Sequence, residues 1–201
     1  MTALTPGFYE VPPGMVATVV THLEMRAPPQ LSDRALPDGI TFQPVPAPTA
    51  AWYRDLFLRV GAQDWLWFSR LQMEAAALET ILTDAKVQIT AVMQDGVPKG
   101  LLELDFRVDG ECELAFFGLA PNLIGSGLGR ALMNAAITQA WAQPITRFHV
   151  HTCTLDHPAA LGFYRRSGFA PLRQQIEIAP DPRLTGLLPH SAGPHIPIIE
   201  A

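Results

Sequence analysis

Cysteine is nearly absent from this chain: Cys112 and Cys153 are the only two in 201 residues. That is too few for a disulfide framework or a zinc ribbon, so reduced thiols in a cytoplasmic protein are the plain reading. Charge is also scarce, at 16% of residues, and it has no basic excess. Fourteen Lys and Arg stand against nineteen Asp and Glu, for a net charge of −5, which argues against a general nucleic-acid binder. No apolar run approaches the 18 residues that a membrane span needs. The N-terminus lacks a basic segment followed by an apolar one, so no signal peptide is expected. With 48% hydrophobic residues, the chain has enough apolar side chains to fold around a core.

What the sequence does have is a patterned glycine loop. Glu113 to Leu119 reads as an apolar strand, glycines follow at 125, 127 and 129, and a helix begins at once, to about residue 142. Glycines at this spacing let the backbone turn sharply and approach a ligand without Cβ interference. The first N–H groups of the helix then make an anion site, so a phosphate-bearing ligand is the default expectation. Gly129 is followed by Arg130 and Ala131 rather than Lys and Ser or Thr, which excludes a P-loop. A dinucleotide fingerprint starting at Gly125 would need Gly or Ala at 130 and an acidic residue near 149, and neither is there.

The remaining segments order as follows. Residues 1–38 form a proline-rich extension, broken by a strand over Met15 to Met25 that reads as an added edge strand or an arm to a partner. Gly39 to Val45 reads as a first core strand. Thr49 caps a helix with Trp52, Leu56 and Val60 on one face, which Gly61 closes. Asp64 caps a second, whose apolar stripe is Phe68, Leu71, Ala75, Leu78 and Leu82. Three antiparallel strands follow, joined through Asp95-Gly96 and Asp109-Gly110. A strand over 146–154, a short helix containing Tyr164 and a strand over 170–178 come after the glycine loop. From about residue 180 the chain reads as irregular, and Pro197 interrupts the last apolar stretch.

The loop Ile124-Gly125-Ser126-Gly127-Leu128-Gly129 resembles the acyl-CoA loop of the GNAT superfamily of N-acetyltransferases, Gln/Arg-x-x-Gly-x-Gly/Ala, with Ile124 in place of Gln or Arg. A second motif supports this. The segment Asp156-His157-Pro158-Ala159-Ala160-Leu161-Gly162-Phe163-Tyr164, followed by Gly168-Phe169, resembles the later family segment Asn-x-x-Ala-x-x-x-Tyr with its Gly-Phe pair. The resemblance covers roughly residues 85 to 178, more faintly from 39. It implies an α/β fold with a mixed, largely antiparallel central sheet flanked by helices on both faces, the acyltransferase domain occupying 39–201.

It also implies a reaction: transfer of an acetyl group from acetyl-CoA directly to a primary amine, without a resident metal. The N–H groups from Gly125 to Arg130, including those of Ser126, Gly127, Leu128 and Gly129, would hold the pyrophosphate, with the Ser126 hydroxyl as an optional donor. Backbone near Leu119 would meet the pantetheine arm. Arg130, Arg165 and Arg166 can approach the adenosine phosphates. Tyr164 matches the general acid that protonates the departing sulfur. The family's carboxylate base, eleven residues ahead of the Gln/Arg position, falls on Glu113. Strand alternation places Glu113 beside Ala115 and Phe117, where desolvation is expected to raise its pKa. Glu103 on the neighbouring strand stands in reserve, ordered water is a third source, and the plain alternative for Glu113 is a solvated surface carboxylate.

Trp65 and Trp67 open the second helix of the expected acceptor wall, where an aromatic face suits an ammonium. His149, His151 and Cys153 lie at strand spacing on one face, with His157 nearby. Hydrogen bonding or packing beside a substrate cleft is the plain use of His149 and His151, acceptor contact or an auxiliary base is the functional one, and a metal row is the rival. A covalent Cys153 intermediate is a minor variant. Two other functions stay open: a non-catalytic acyl-CoA-binding sensor, and a metal-dependent hydrolase built on the histidine row. The acceptor, a small-molecule or peptide amine, is not identified by sequence. A homodimer is compatible with the edge that the N-terminal strand offers.

Overall fold

The structure, a computed structural model, describes residues 4–31 and 35–200. The rest of the N-terminal extension, residues 1–3 and 32–34, lies outside the described residues, as does the terminal residue. Strands β1 (Met15–Met25) and β2 (Ile40–Pro44) precede helix α1 (Ala50–Phe57), a π-helical turn (Leu58–Ala62) and a short α2 (Gln63–Trp65). Helix α3 (Ala75–Leu82) leads into β3 (Val87–Gln94), β4 (Val97–Asp105) and β5 (Glu111–Leu119). Then come α4 (Leu128–Trp141), β6 (Arg147–Cys153), α5 (Ala160–Arg166) and β7 (Ala170–Pro180).

These strands form one seven-stranded sheet in the order β2-β3-β4-β5-β6-β1-β7. Every neighbouring pair is antiparallel except β5 and β6. Leu132, Met133, Ala136 and Ile137 of α4 pack with Phe148 and Val150 on one face. Tyr53, Leu56 and Phe57 of α1, with Leu78 and Leu82 of α3, pack with Ile89 and Leu101 on the other. Because both faces are covered, β4 is buried without alternation from Gly100 to Asp105, as expected of a central strand.

Three local expectations are corrected. First, β1 is not an edge strand or an arm. It pairs with β6 on one side and β7 on the other, and the edge it was expected to offer a partner is occupied. Its apolar residues explain this: Leu23 and Met25 join one core and Val16 the other, so neither face suits solvent. Second, Gly61 does not end the first helix, which continues through the π turn into α2. Gly61 serves packing instead, since a Cβ there would lie 2.1 Å from Trp67 Cε3. Third, Asp64 lies inside α2 and caps nothing. Leu66 turns the chain in the left-handed region, at φ 51°, so Phe68 and Leu71 fall in a turn and α3 starts only at Ala75.

Thr49 does cap α1, accepting from the Trp52 N–H at 3.2 Å. The segment after β7 has no strand or helix among the described residues, and a buried ion pair organises it. Arg183 binds Asp181 at 2.7 Å and donates to the carbonyls of Ala192, Gly193, Ile196 and Pro197. This pins the tail on the α1 side, where Leu188 and Ala192 enter the core.

Candidate active site

The site begins with the one parallel pair. Strands β5 and β6 are in register only over Glu111 to Glu113 against Arg147 to His149. Beyond that they separate, β5 running on to Leu119 and β6 to Cys153. Two cavities occupy the divergence. One, of about 480 Å3, is bordered by Leu119, Ile124, Gly125, Gly127, Gly129 and Arg130, and by α5 through Ala160, Phe163 and Arg166. The other, of about 380 Å3, lies beyond it and reaches Arg70, Asp105, Arg107, Glu113, His151 and Glu177. Trp65, Trp67, Phe117, Asp156 and Tyr164 border both. The cavities therefore meet at these five side chains.

The glycine loop has the geometry that its residues call for. Gly125 and Gly127 sit at φ +83° and +84°, a region in which a side chain would be strained. The N–H groups of Gly125, Ser126, Gly127 and Gly129 find no acceptor among the described residues. Unfilled donors at a 14-residue helix N-terminus fit a pyrophosphate. Two expected contacts are corrected. The Ser126 hydroxyl donates to the Leu123 carbonyl at 2.7 Å and accepts from the Leu128 N–H at 3.3 Å. Both groups are thus used within the loop, and neither residue borders the groove. Arg130 donates to the Ser167 hydroxyl at 2.9 Å and stacks over Phe163, 5.0 Å from the ring centre, so its cation sits against α5.

Tyr164 is buried at 8% exposure, where α5 meets Phe117 and Phe169. Its hydroxyl has no hydrogen-bond partner among the described residues, although Tyr164 lines both cavities. Burial first, and Asp156 second, push its pKa well above the ordinary phenol range. The expected match to a thiol's pKa therefore fails, though the phenol stays protonated and able to donate.

Asp156 organises the junction. Its Oδ1 accepts the Trp67 indole N–H at 2.8 Å, and its Oδ2 accepts the Thr152 hydroxyl at 2.7 Å and the Cys153 N–H at 2.8 Å. Trp67 in turn lies between Phe57 and Phe116, in space that Gly61 and Gly118 leave open. Trp67 thus follows the short helix α2 rather than opening a second helix. Trp65 ends α2 with its ring edge-on to His157 at 4.9 Å and tilted to His195 at 5.4 Å. His157 accepts the Ala159 N–H through Nδ1 at 3.0 Å, so one of its nitrogens is spent on the turn before α5.

The expected carboxylates behave differently from the sequence reading. Glu113 does not have a raised pKa: the side-chain contact with His151 is the largest influence and lowers it, against the opposing effect of burial. The two approach at 3.4 Å, Nδ1 to Oε1, and Glu113 raises His151 above its ordinary value. Glu103 is unavailable as a reserve base. It is fully buried and accepts from both Tyr53 and Arg70, lining neither cavity.

The histidine row separates. His151 turns to Glu113, while His149 lies 3.5 Å from Glu111, outside both cavities, which corrects its placement at the acceptor. Among the described residues no group of His, Cys, Asp and Glu could hold a metal ion. Burial raises the Cys153 thiol, which disfavours a thiolate nucleophile.

A family model described as the acetyltransferase (GNAT) family matches residues 50–169. The chain belongs to this family. Solved structures of GNAT proteins share its fold. A GCN5-related N-acetyltransferase from Kribbella flavida is 24% identical over 86% of this chain and 63% of that one, with a TM-score of 0.53. Another from Sphaerobacter thermophilus is 15% identical over 84% and 52%, with a TM-score of 0.55. A tandem GNAT protein from the clavulanic acid biosynthesis pathway is 17% identical over 80% and 53%, with a TM-score of 0.57. This GNAT chain thus spans only 52 to 63% of the length of these structures. Among curated proteins no sequence matches significantly. Also among the described residues, no helix is long and apolar enough to cross a membrane.

Proposed function

We propose that this chain is an N-acetyltransferase that moves an acetyl group from acetyl-CoA directly to a primary amine. The observation that carries the reading is the meeting of the two cavities at Tyr164, where β5 and β6 part. One cavity is lined by a glycine loop with unfilled N–H donors and suits the cofactor's phosphates. The other is lined by aromatic rings and carboxylates and suits an amine.

Acetyl-CoA supplies the activated acyl group. Gly125, Gly127 and Gly129 hold its pyrophosphate through backbone N–H groups, and the end of β5 near Leu119 orients the arm. The Glu113–His151 pair takes the proton of the incoming amine, the neutral imidazole accepting it while Glu113 stabilises the cation so formed. Tyr164 donates its phenolic proton to the departing sulfur. Trp65 gives the ammonium-bearing acceptor an aromatic wall.

The test is thermal stability with acetyl-CoA, CoA and NADH, followed by thiol release in an amine screen. A ligand at about 100 times its dissociation constant adds roughly 2.7 kcal/mol of stability. Stabilisation by both CoA species but not NADH, with amine-dependent thiol release, is expected. Stabilisation without turnover by any amine would favour a non-catalytic acyl-CoA sensor. No stabilisation by either CoA species would overturn the reading.

A further inference from the structure

Trp65, which forms the acceptor wall, is held differently from Trp67. The Trp67 indole is fixed by its bond to Asp156. Among the described residues no hydrogen bond fixes the half-buried ring of Trp65. Two imidazoles flank it instead, His157 from the turn before α5 at 4.9 Å and His195 from the tail at 5.4 Å. Ring pairs of this geometry attract beyond the area that they bury. His195 itself borders neither cavity, so any influence it has on the site passes through Trp65.

The tail is held so as to bring His195 there. Gly193 donates its N–H to the Gln63 carbonyl at 2.8 Å, satisfying a group that the end of α2 leaves without a helical partner. A Cβ on Gly193 would lie 2.5 Å from Leu66 Cγ, and its φ of +53° disfavours a side chain in any case. The backbone of the tail therefore rests directly on the residue that follows Trp65. Gln63, Trp65 and Leu66 are thus all met by Gly193 and His195. Behind them stands the buried pair of Arg183 and Asp181, 2% and 1% exposed. Arg183 donates to the carbonyls of Gly193 and Ile196, on either side of His195. A buried pair of this kind resists disruption, because loss of one member strands the other charge. This stretch lies beyond residue 169, where the family match ends.

We propose that the tail backs the acceptor side of the site, and that His195 is a positioning residue that sets Trp65 against the incoming amine. The inference rests on the acetyltransferase reading above. Loss of the imidazole frees one side of the Trp65 ring, while the glycine loop, Tyr164 and the Glu113–His151 pair stay as they are. The effect therefore falls on binding of the acceptor and not on the chemical step.

His195→Ala and His195→Phe in the full chain test this, the position being exposed. The acceptor is whichever of spermidine, tyramine and lysine the native chain acetylates fastest, at saturating acetyl-CoA. His195→Ala should raise KM for the amine about three- to tenfold and leave kcat within about twofold. His195→Phe keeps a flat ring and should bring KM back. Stabilisation by acetyl-CoA should be equal in all three proteins. Fluorine NMR of chains labelled with fluorotryptophan, assigned with Trp65→Phe, reads the ring itself, and the Trp65 signal should move in His195→Ala. An unchanged KM overturns the proposal, as does a Trp65 signal that stays in place. A fall in kcat alone, or a raised KM that His195→Phe leaves unrestored, overturns the positioning role. If the native chain turns over none of the amines, the acetyltransferase reading fails on its own, and the fluorine signal still decides whether the tail positions Trp65.

Discussion

The indole of Trp67 donates to Asp156 across 89 residues of chain, and both side chains border both cavities at their junction. One carboxylate thereby sets the position of an aromatic wall and the end of β6 together. Asp156→Asn keeps one acceptor oxygen but turns an amide N–H2 toward a donor, so a loss of about 1–3 kcal/mol in stability is expected. Trp67→Phe removes the same bond. Urea unfolding of the two single variants and the double should therefore show non-additive losses; simple additivity would mean that the bond contributes nothing.

His151 should titrate above the ordinary histidine value, because Glu113 raises it more than burial lowers it. Its folded pKa is raised, so its contribution to stability is present below the unfolded value near 6.5. That contribution is lost as pH rises through the folded pKa. Glu113 is depressed, so its share is present above the unfolded carboxylate value and lost as pH falls through the folded one. In Glu113→Gln the imidazole keeps the lowering effect of burial and only the smaller raising effects of Asp156 and Glu177, so its pKa should move down. NMR titration of the assigned His151 ring resonances in both proteins checks the sign.

Tyr164→Phe should lower kcat by about 10²–10⁴-fold, the usual contribution of a positioned proton donor. It should leave the rise in melting temperature with acetyl-CoA intact, since the hydroxyl bonds to no described residue. Steady-state thiol release and thermal melts together decide this. An unchanged kcat would remove Tyr164 from the proton transfer.

Gly125 and Gly14 are matched in strain and differ in place. Both have positive φ, +83° and +79°, and both face open space. Replacing either by alanine should cost about 1–2 kcal/mol in stability from the left-handed backbone. Only Gly125→Ala, beside the groove, should also weaken acetyl-CoA binding in a calorimetric titration.

Much of the fold was legible because its signals are local. Turn pairs at Asp95-Gly96 and Asp109-Gly110 marked the hairpins, and the glycine loop with the Tyr164 segment marked the family. What escaped depends on pairing between distant strands. That β1 sits inside the sheet follows from partners such as Thr154, whose hydroxyl meets Thr18 over 136 residues. Strand alternation alone gives Glu113 apolar neighbours, whereas the short parallel register sets it opposite His149, so His151 follows on the same face. Proximity to β5 offers Glu103 as a base, and the covering of both faces of β4 withdraws it. Asp156 stood in the second motif as one letter, and its donors come from β6 and from a loop far upstream.

The placement of β1 has a consequence for how the molecule folds. Strand β1 is bounded in the sheet by β6 and β7, which follow it by more than a hundred residues, as in the pairing of Val20 with Cys153 and of Met15 with Pro180. Neither edge of β1 can pair until that whole intervening stretch has folded back on it. Long-range pairing of this kind slows folding. An apolar strand is therefore left in need of shelter until its distant partners arrive, and removing Met15–Met25 would leave β7 without a strand partner.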